Sequence, residues 1–284
     1  MRTRSLSRFR RRGSYLTIGA LVAGLLVSFT GLPTAAPAAA RAEVNQEKGI
    51  DTCAAPSLAQ MNAFWKNTPY NNAGIYFGGS NRGCAQPNLT KAWVTAVTKQ
   101  GWGLLPLYVG LQSPCEKNEP HRFSLTGATA YAQGKAEAVA AKKALAALGM
   151  VGAPMIFDME AAYSKSSACL AAERWFIYGW VRQAHAAPHY YAGIYTSTCA
   201  GAMDQYSTIP VPPDLIDAGQ WDNNPKTTAL SCVAAAHWTN HQRHKQYRGG
   251  HNETWNGVTL NLDNDCSNAA LWETVHPSTS GGCV

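Results

Sequence analysis

Two acidic residues, Asp158 and Glu160, are placed where side chains can do chemistry, because they follow the apolar run 154–157. Side chains of a strand alternate between its two faces, so residues two positions apart point the same way. Two carboxyl groups this close should not both ionise freely, and the pKa of the more buried one should be raised. Glycoside hydrolysis uses such a pair, one protonated carboxyl meeting the leaving oxygen and a second carboxylate nearby. The pair predicts a glycosidase-type site; the alternative is that one acid caps the next helix.

Other acids also end apolar runs, namely Asp51, Asp222, Asp263 and Asp265. In a barrel of parallel strands, catalytic side chains come from the carboxyl ends of the strands. Any one of these acids is more often structural, and Asp51 could equally cap a helix. Their common position predicts that several of them converge on the pair at 158 and 160.

Polar and aromatic side chains near predicted strand ends are the candidate substrate contacts, because sugar faces stack on rings and hydroxyl tips hydrogen-bond to substrate. Ordinary core packing is the alternative for any single ring. The predicted contacts are Tyr76, Tyr108, Tyr195, Trp221, Asp222, Gln246 and Tyr247.

Other chemistries are not supported by the motifs. His241, His244 and His251 lie close in sequence but not in an H-E-x-x-H frame, and no C-x-x-C occurs, so we predict no metal site. No G-x-S-x-G frame and no glycine-rich phosphate loop follows a strand. We therefore predict no cofactor.

The elements that would position these residues alternate between strands and helices. Apolar and β-branched runs predict strands at 49–51, 73–77, 104–109, 154–158, 190–195, 217–221, 245–247 and 258–263. Helices are predicted at 57–66, with Ser57 as a possible cap, and at 89–101, 128–149 and 169–187. The segments 210–213 and 225–232 read as loops. Eight strands alternating with helices in one domain, residues 43–276, predict an α/β fold of the (β/α)8 TIM-barrel type, with a loose tail at 277–284.

The first 42 residues resemble a secretory signal peptide. Six arginines precede an apolar run at 15–32, and small residues follow up to Ala42. The alternative, a membrane anchor, is disfavoured by Thr17, Ser28 and Thr30 within the apolar run. Arg11 and Arg12 leave both the general and the twin-arginine export routes open. We predict a secreted or cell-wall-associated protein without a membrane anchor after cleavage.

Charge is balanced in the part that would remain after cleavage. Seven of the 24 basic residues and none of the 17 acidic residues lie in residues 1–42, so 17 of each sign follow. Nothing in this balance favours nucleic acid or an anionic membrane as a partner. We expect a monomer.

All eight cysteines follow residue 42, and an even number behind a signal peptide predicts disulfides. The sequence leaves the pairing open. Cys84 and Cys115 are the first pair to test, because each follows a strand and the two strands should be neighbours.

These motifs, taken in order, resemble the DUF1906 (glycoside hydrolase-like) family of secreted bacterial proteins, which is similar to the family 25 glycoside hydrolases, the peptidoglycan muramidases. The resemblance covers nearly all of the chain after the leader. The matching segments are Gly49-Ile50-Asp51, Tyr76-Phe77-Gly78-Gly79, Leu105-Pro106-Leu107-Tyr108, Phe157-Asp158-Met159-Glu160, Gly193-Ile194-Tyr195-Thr196, Gln220-Trp221, Gln246-Tyr247 and Leu262-Asp263.

The resemblance implies that Glu160 is the general acid and that Asp158 is the second carboxylate, acting directly or by orienting a substrate acetamido group. It implies that Asp51 and Asp263 position water and substrate. The muramidase last strand usually reads D-x-N, where this chain has Asp263-Asn264-Asp265. The implied substrate is a cell-wall polysaccharide, peptidoglycan. The alternatives are a non-catalytic glycan-binding envelope protein on the same barrel and a disulfide-stapled structural protein of the cell surface.

Overall fold

The apolar runs of the sequence form the strands of a closed barrel. A computed structural model describes residues 41–160, 165–273 and 283. The strands are β1 (Arg41–Asn45), β2 (Lys48–Asp51), β3 (Asn72–Gly78), β4 (Gly103–Tyr108), β5 (Pro154–Asp158), β6 (Tyr191–Ser197), β7 (Leu215–Gly219), β8 (Gln242–Trp255) and β9 (Val258–Glu273). Strands β2 to β8 pair in parallel in chain order, and β9 closes the ring between β8 and β2. The predicted barrel is confirmed, and β1 adds an outer pairing to the end of β9.

The last strand differs from the prediction, because β9 runs antiparallel to both of its barrel neighbours. The reason is the connection: only Asn256 and Gly257 separate β8 from β9, and a parallel pairing would need a much longer crossover. Both residues have positive φ, 48° and 75°. Asn-Gly is the preferred dipeptide for a two-residue hairpin turn of this kind.

In the part of the chain that the structure describes, four α-helices cover the outside of the barrel, together with a short 3-10 helix at Met203–Thr208. They are α1 (Leu58–Asn67), α2 (Lys91–Gln100), α3 (Gly127–Ala147) and α4 (Ser167–Ala184). The predicted Ser57 cap is confirmed: Ser57 Oγ accepts from the Gln60 amide, and Gln60 Oε1 accepts from the Ser57 amide at 2.8 Å. The predicted loops at 210–213 and 225–232 lie outside helices and strands.

The barrel separates two packed regions. Outside it, aromatic rings fill the space between strands and helices; Phe157 of β5 stacks edge-on against Phe176 and Trp180 of α4. Inside it, Leu105, Ile156, Leu271 and their neighbours form an apolar plug. Polar residues lie above this plug, toward the carboxyl ends of the parallel strands. The fold therefore presents its polar interior where a barrel enzyme has its site.

Four disulfides join Cys53 to Cys84, Cys115 to Cys169, Cys199 to Cys232 and Cys266 to Cys283. The predicted Cys84–Cys115 pair is wrong. Cys84, in the loop after β3, is bonded to Cys53, in the loop after β2. Cys115 is bonded to Cys169, in the first turn of α4. Three of the bridges connect segments that follow barrel strands, so they fix the loops around the mouth.

Two predicted segments lie largely outside the described residues. Of the signal peptide at 1–42, the structure describes Arg41 and Ala42, which belong to β1. Of the tail at 277–284 it describes Cys283, whose carbonyl accepts hydrogen bonds from Thr227. In the described part of the chain, no helix has the length and hydrophobicity needed to cross a bilayer.

Candidate active site

Acids on two strands, and one that follows a third strand, meet in one cleft at the carboxyl end of the barrel. Asp51, Glu160 and Asp263 line this cleft, which has a volume of about 480 Å³. Asp158 is 1% exposed and does not line the cleft, but its charge interacts with those of Glu160 and Asp51. The structure thus brings together the four acids that the sequence selected.

Side chains alternate along the end of β5 and the two residues after it, and this alternation directs the carboxyl groups of Asp158 and Glu160 toward the barrel interior. Phe157 and Met159 are fully buried in the helix-facing core, so Asp158 and Glu160 face the lumen and the mouth. Helix α4 begins at Ser167 with Ser166 as its cap, so neither acid caps that helix. Gln112 fixes this turn of backbone, donating to the Asp158 carbonyl at 2.8 Å and accepting from the Glu160 amide at 3.0 Å.

Electrostatics favour protonated carboxyl groups on the pair. Burial, and then the negative charge of Glu160, raise the pKa of Asp158 well above its usual value. Partial burial raises the pKa of Glu160, with Glu119, Asp263 and Glu116 adding to the effect. Asp158 Oδ1 has no hydrogen-bond partner among the described residues. Both shifts favour the protonated form of the carboxyl group, which is the form that a general acid requires.

Asp51 and Asp263 face each other across the β2–β9 pairing, and both accept hydrogen bonds from Gln246 of β8. Gln246 Nε2 donates to Asp51 Oδ2 at 2.7 Å and to Asp263 Oδ2 at 3.2 Å. The Tyr76 hydroxyl donates a hydrogen bond to Asp51 Oδ1 at 3.2 Å. Burial and the charge of Asp263 raise the pKa of Asp51 well above its usual value. Next to Asp51, a Cβ at Gly74 would lie 2.6 Å from the Asp51 Cβ, so glycine there makes room for the acid.

Two aromatic residues complete this hydrogen-bond network. Tyr195 and Trp221 both donate to Gln246 Oε1, at 2.9 Å and 2.8 Å. Tyr195 is buried in the lumen, whereas Trp221 is 59% exposed at the rim. The structure therefore places Tyr76, Tyr195, Trp221 and Gln246 at the site, with Gln246 connecting three strands.

Tyr108 lies elsewhere, and its predicted substrate contact has to be corrected. Its ring packs in the helix-facing core, 5.4 Å from the ring of Phe77 and 5.7 Å from that of Trp180. Burial, followed by the charge of Glu137 and a hydrogen bond to it, raises the pKa of Tyr108. Because Leu105 and Leu107 of the same strand face the lumen, alternation turns Tyr108 outward.

Asp222 is held by another partner, and Tyr247 does not line the cleft. The Asp222 carboxylate accepts from Lys245 Nζ at 3.0 Å, and this lysine side chain is fully buried. Although partial burial acts to raise the pKa of Asp222, hydrogen bonds from Gln220, the Asn224 amide and Lys245 lower it. Burial and the charge of Asp265 raise the pKa of Tyr247 to about 12. The contacts of Asp222 indicate a structural role, and Tyr247 is not a lining residue of the cleft.

Replacing Asp222 with alanine is therefore expected to lower the free energy of unfolding by about 3 kcal/mol, because it leaves the buried Lys245 charge without its carboxylate. Asp222 is one-third exposed, which keeps the loss at the low end for such pairs. Denaturant unfolding measures this. The matched variant, Asp222→Ala with Lys245→Met, should recover most of the loss. Unchanged stability with weaker substrate binding would instead restore Asp222 as a substrate contact.

Several site residues were not selected from the sequence. Asn81, Arg82 and Glu119 line the cleft, and none of them ends an apolar run. Asp217 and His244 form a buried pair in the lumen, with Nδ1 and Oδ1 2.8 Å apart. Asp217 is the central residue of β7, and its alternation with Leu215 was the signal that could have revealed it.

The three histidines considered as metal ligands do not converge. His241 contacts Asn268, His244 contacts Asp217, and His251 contacts Glu253. Within residues 41–160 and 165–273, no three His, Cys, Asp or Glu side chains are arranged to hold a metal ion.

Comparison with known proteins agrees with this architecture. The sequence profile of the Rv2525c-like, glycoside hydrolase-like domain matches residues 63–267. No curated protein matches the chain. Among solved structures, an uncharacterized protein of B. stearothermophilus superposes with a TM-score of 0.52 at 14% identity, over 78% of this chain and 95% of its own.

Two further structures are similar. The Tat-secreted protein Rv2525c of Mycobacterium tuberculosis, in complex with L-tartrate, has a TM-score of 0.50 at 11% identity, over 82% of this chain and 97% of its own. The spore cortex lytic enzyme SleM of Clostridium perfringens has a TM-score of 0.51 at 12% identity, over 78% of this chain and 68% of its own. At these identities the likeness establishes the barrel fold.

Proposed function

The chain belongs to the Rv2525c-like, glycoside hydrolase-like domain family, and from this premise we propose that it hydrolyses β-glycosidic bonds of a cell-wall amino-sugar polymer, peptidoglycan. One observation carries the proposal: Asp158 and Glu160 leave the same strand toward the same cleft, and both have raised pKa values. Glycosidases need one protonated carboxyl group and one nearby carboxylate.

In the proposed reaction, Glu160 gives its proton to the glycosidic oxygen while the bond to the anomeric carbon breaks. The proposed reaction requires the pair to share one proton, with Glu160 holding it and Asp158 charged. The charge of Glu160 is among the causes that raise the pKa of Asp158, after burial, so the two carboxyl groups do not both ionise freely. The charge on Asp158 stabilises the positive anomeric carbon, either by direct attack or by orienting a substrate acetamido group. Water then attacks the sugar, and the Glu160 carboxylate takes its proton.

Asp51 and Asp263 have a supporting part in this proposal. Gln246 and Tyr76 hold the Asp51 carboxyl group by two hydrogen bonds, and Gln246 also contacts Asp263. The two acids therefore have fixed orientations in the cleft that Glu160 also lines. They are suited to bind sugar hydroxyl groups or the attacking water.

We further propose that the protein acts outside the cytoplasm, on the cell wall. The four disulfides support this, since such bridges persist in oxidising, extracytoplasmic compartments. The basic and apolar leader in residues 1–42 supports export as well.

The purified, disulfide-bonded protein incubated with purified peptidoglycan tests the proposed function. We expect new reducing sugar ends and soluble fragments whose masses identify the bond cut. Exposed Trp221 at the rim favours a second candidate, a glycan-binding protein without turnover. Sedimentation with the wall and no new reducing ends after long incubation would support that second candidate. If the protein neither binds nor cleaves the wall, both candidates are eliminated.

A further inference from the structure

The hairpin of β8 and β9 is longer than the barrel requires. These strands have 14 and 16 residues, whereas the other barrel strands have four to seven. Register shifts at Gln246, Arg248 and His251 mark where the hairpin leaves the barrel wall. The part beyond these shifts, residues 248–262, projects from the mouth as an arm, eight residues long on the β8 side and so about 25 Å.

One face of the arm is packed and held in place. Leu260 and Leu262 are buried in the main core. Glu253 accepts hydrogen bonds from the Tyr70 hydroxyl at 2.9 Å and from Trp255 Nε1 at 2.8 Å. This face fixes the arm to the body, so the opposite face has a defined direction.

Beyond the exposed Arg248 at the base of the arm, the opposite face is uncharged, polar and exposed. It consists of two cross-strand pairs, Asn252 with Asn261 and Thr254 with Thr259. Asn261 Nδ2 donates to Asn252 Oδ1 at 3.0 Å, and the two threonine hydroxyls are 2.8 Å apart. The asparagine pair still has the Asn252 amide hydrogens and the Asn261 carbonyl oxygen to offer a ligand. An acetamido group, with one N–H and one C=O, is complementary to this arrangement.

This face is continuous with the cleft. Asn261 and Gly250 line the cleft together with Asp263. Two glycines, Gly249 and Gly250, lie where the arm leaves the barrel. A Cβ at Gly249 would lie 3.7 Å from Trp221 and 4.0 Å from Asp263 Oδ1. Neither Gly249 nor Gly250 places a side chain between exposed Trp221 and Asn261, and this stretch of surface, which joins the ring to the arm, is named the groove.

We propose that this groove is an extended subsite, in which Trp221 stacks on a sugar ring and the asparagine pair binds the acetamido group of a unit beyond the reacting one. The proposal rests on the proposed function and specifies its substrate as a long N-acetylated chain. The absence of charged side chains on the exposed face at 252, 254, 259 and 261 favours such a neutral ligand over a nucleic acid.

Affinity as a function of chain length tests the subsite. In the Glu160→Gln protein, which should bind without turnover, we expect a β-1,4-linked N-acetylglucosamine hexasaccharide to bind more tightly than the disaccharide. Adding Asn252→Ala and Asn261→Ala should weaken hexasaccharide binding about tenfold, since two hydrogen bonds to the ligand are lost, and leave disaccharide binding unchanged. Asn240→Ala, an exposed asparagine beside the cavity at the opposite end of the strands, is the matched control and should change neither affinity.

The outcomes separate the subsite from the function. Equal affinity for the two sugars, or an unaltered hexasaccharide affinity in the double asparagine variant, would overturn the subsite and leave the proposed hydrolase standing. Binding of a free wall peptide to the arm in place of the sugar chain would overturn the assigned occupant. No binding of either sugar would overturn both the subsite and the proposed function.

Discussion

Replacing Glu160 with glutamine is expected to reduce the rate of peptidoglycan cleavage by about 10³-fold or more. A general acid in a positioned site contributes on the order of 10²–10⁴-fold, and glutamine keeps the size of the side chain but cannot donate an acidic proton. Glu160 lies at the open cleft, so the protein should fold as before. Release of reducing ends measures the rate, and sedimentation with the wall checks that binding persists.

Glu119→Gln is the matched control, because Glu119 lines the same cleft and undergoes the same change. Its negative charge is among the causes that raise the pKa of Glu160, after burial. Removing that charge should lower the pKa of Glu160, so the proton is lost at a lower pH. The alkaline limb of the pH–rate profile should therefore move to lower pH, with cleavage retained on the acid side. Wild-type cleavage by Glu160→Gln would show that this residue is not the acid.

The position and shared direction of the acid pair could be predicted from the sequence because they depend on a local pattern. A buried parallel strand reads as a short apolar run, and the predicted 154–158 coincides with β5. Alternation then fixes which side chains share a face, whatever the rest of the chain does. The Ser57 cap was readable for the same reason, since its partner Gln60 lies three residues away.

The hydrogen bonds of Gln246 could not be predicted in this way, because they form only when the barrel closes. Gln246 binds Asp51, 195 residues away in sequence, and the contact depends on β9 lying between β8 and β2. Nothing near Gln246 in sequence indicates that it bridges two acids. Tyr108 shows a second limit: all six residues of β4 are buried, so the sequence does not tell which alternate set faces the lumen.

Replacing Asp158 with asparagine is also expected to reduce the rate of peptidoglycan cleavage, by on the order of 10³-fold. The reason differs from that for Glu160: the substitution removes a negative charge where positive charge develops on the sugar. Asp265→Asn is the matched control, because Asp265 is another fully buried acid of the same lumen. Burial, followed by the charges of Asp51, Asp217 and Asp263, raises the pKa of Asp265 well above its usual value, and Glu160 is not among these charges, so the control leaves the pair at 158 and 160 intact. Cleavage by this control should stay close to wild type.

The Asp158 variants also distinguish the two ways in which this carboxylate can act. If Asp158 attacks the sugar directly, azide should partly restore bond cleavage in Asp158→Ala by taking the place of the missing nucleophile, and it should appear bonded to the sugar product. If Asp158 orients a substrate acetamido group, the substrate supplies the attacking oxygen and azide should not restore the rate. In that case a wall from which the acetyl groups have been removed should resist the wild-type protein. Equal cleavage by wild type, Asp158→Asn and Asp265→Asn would remove Asp158 from the mechanism altogether.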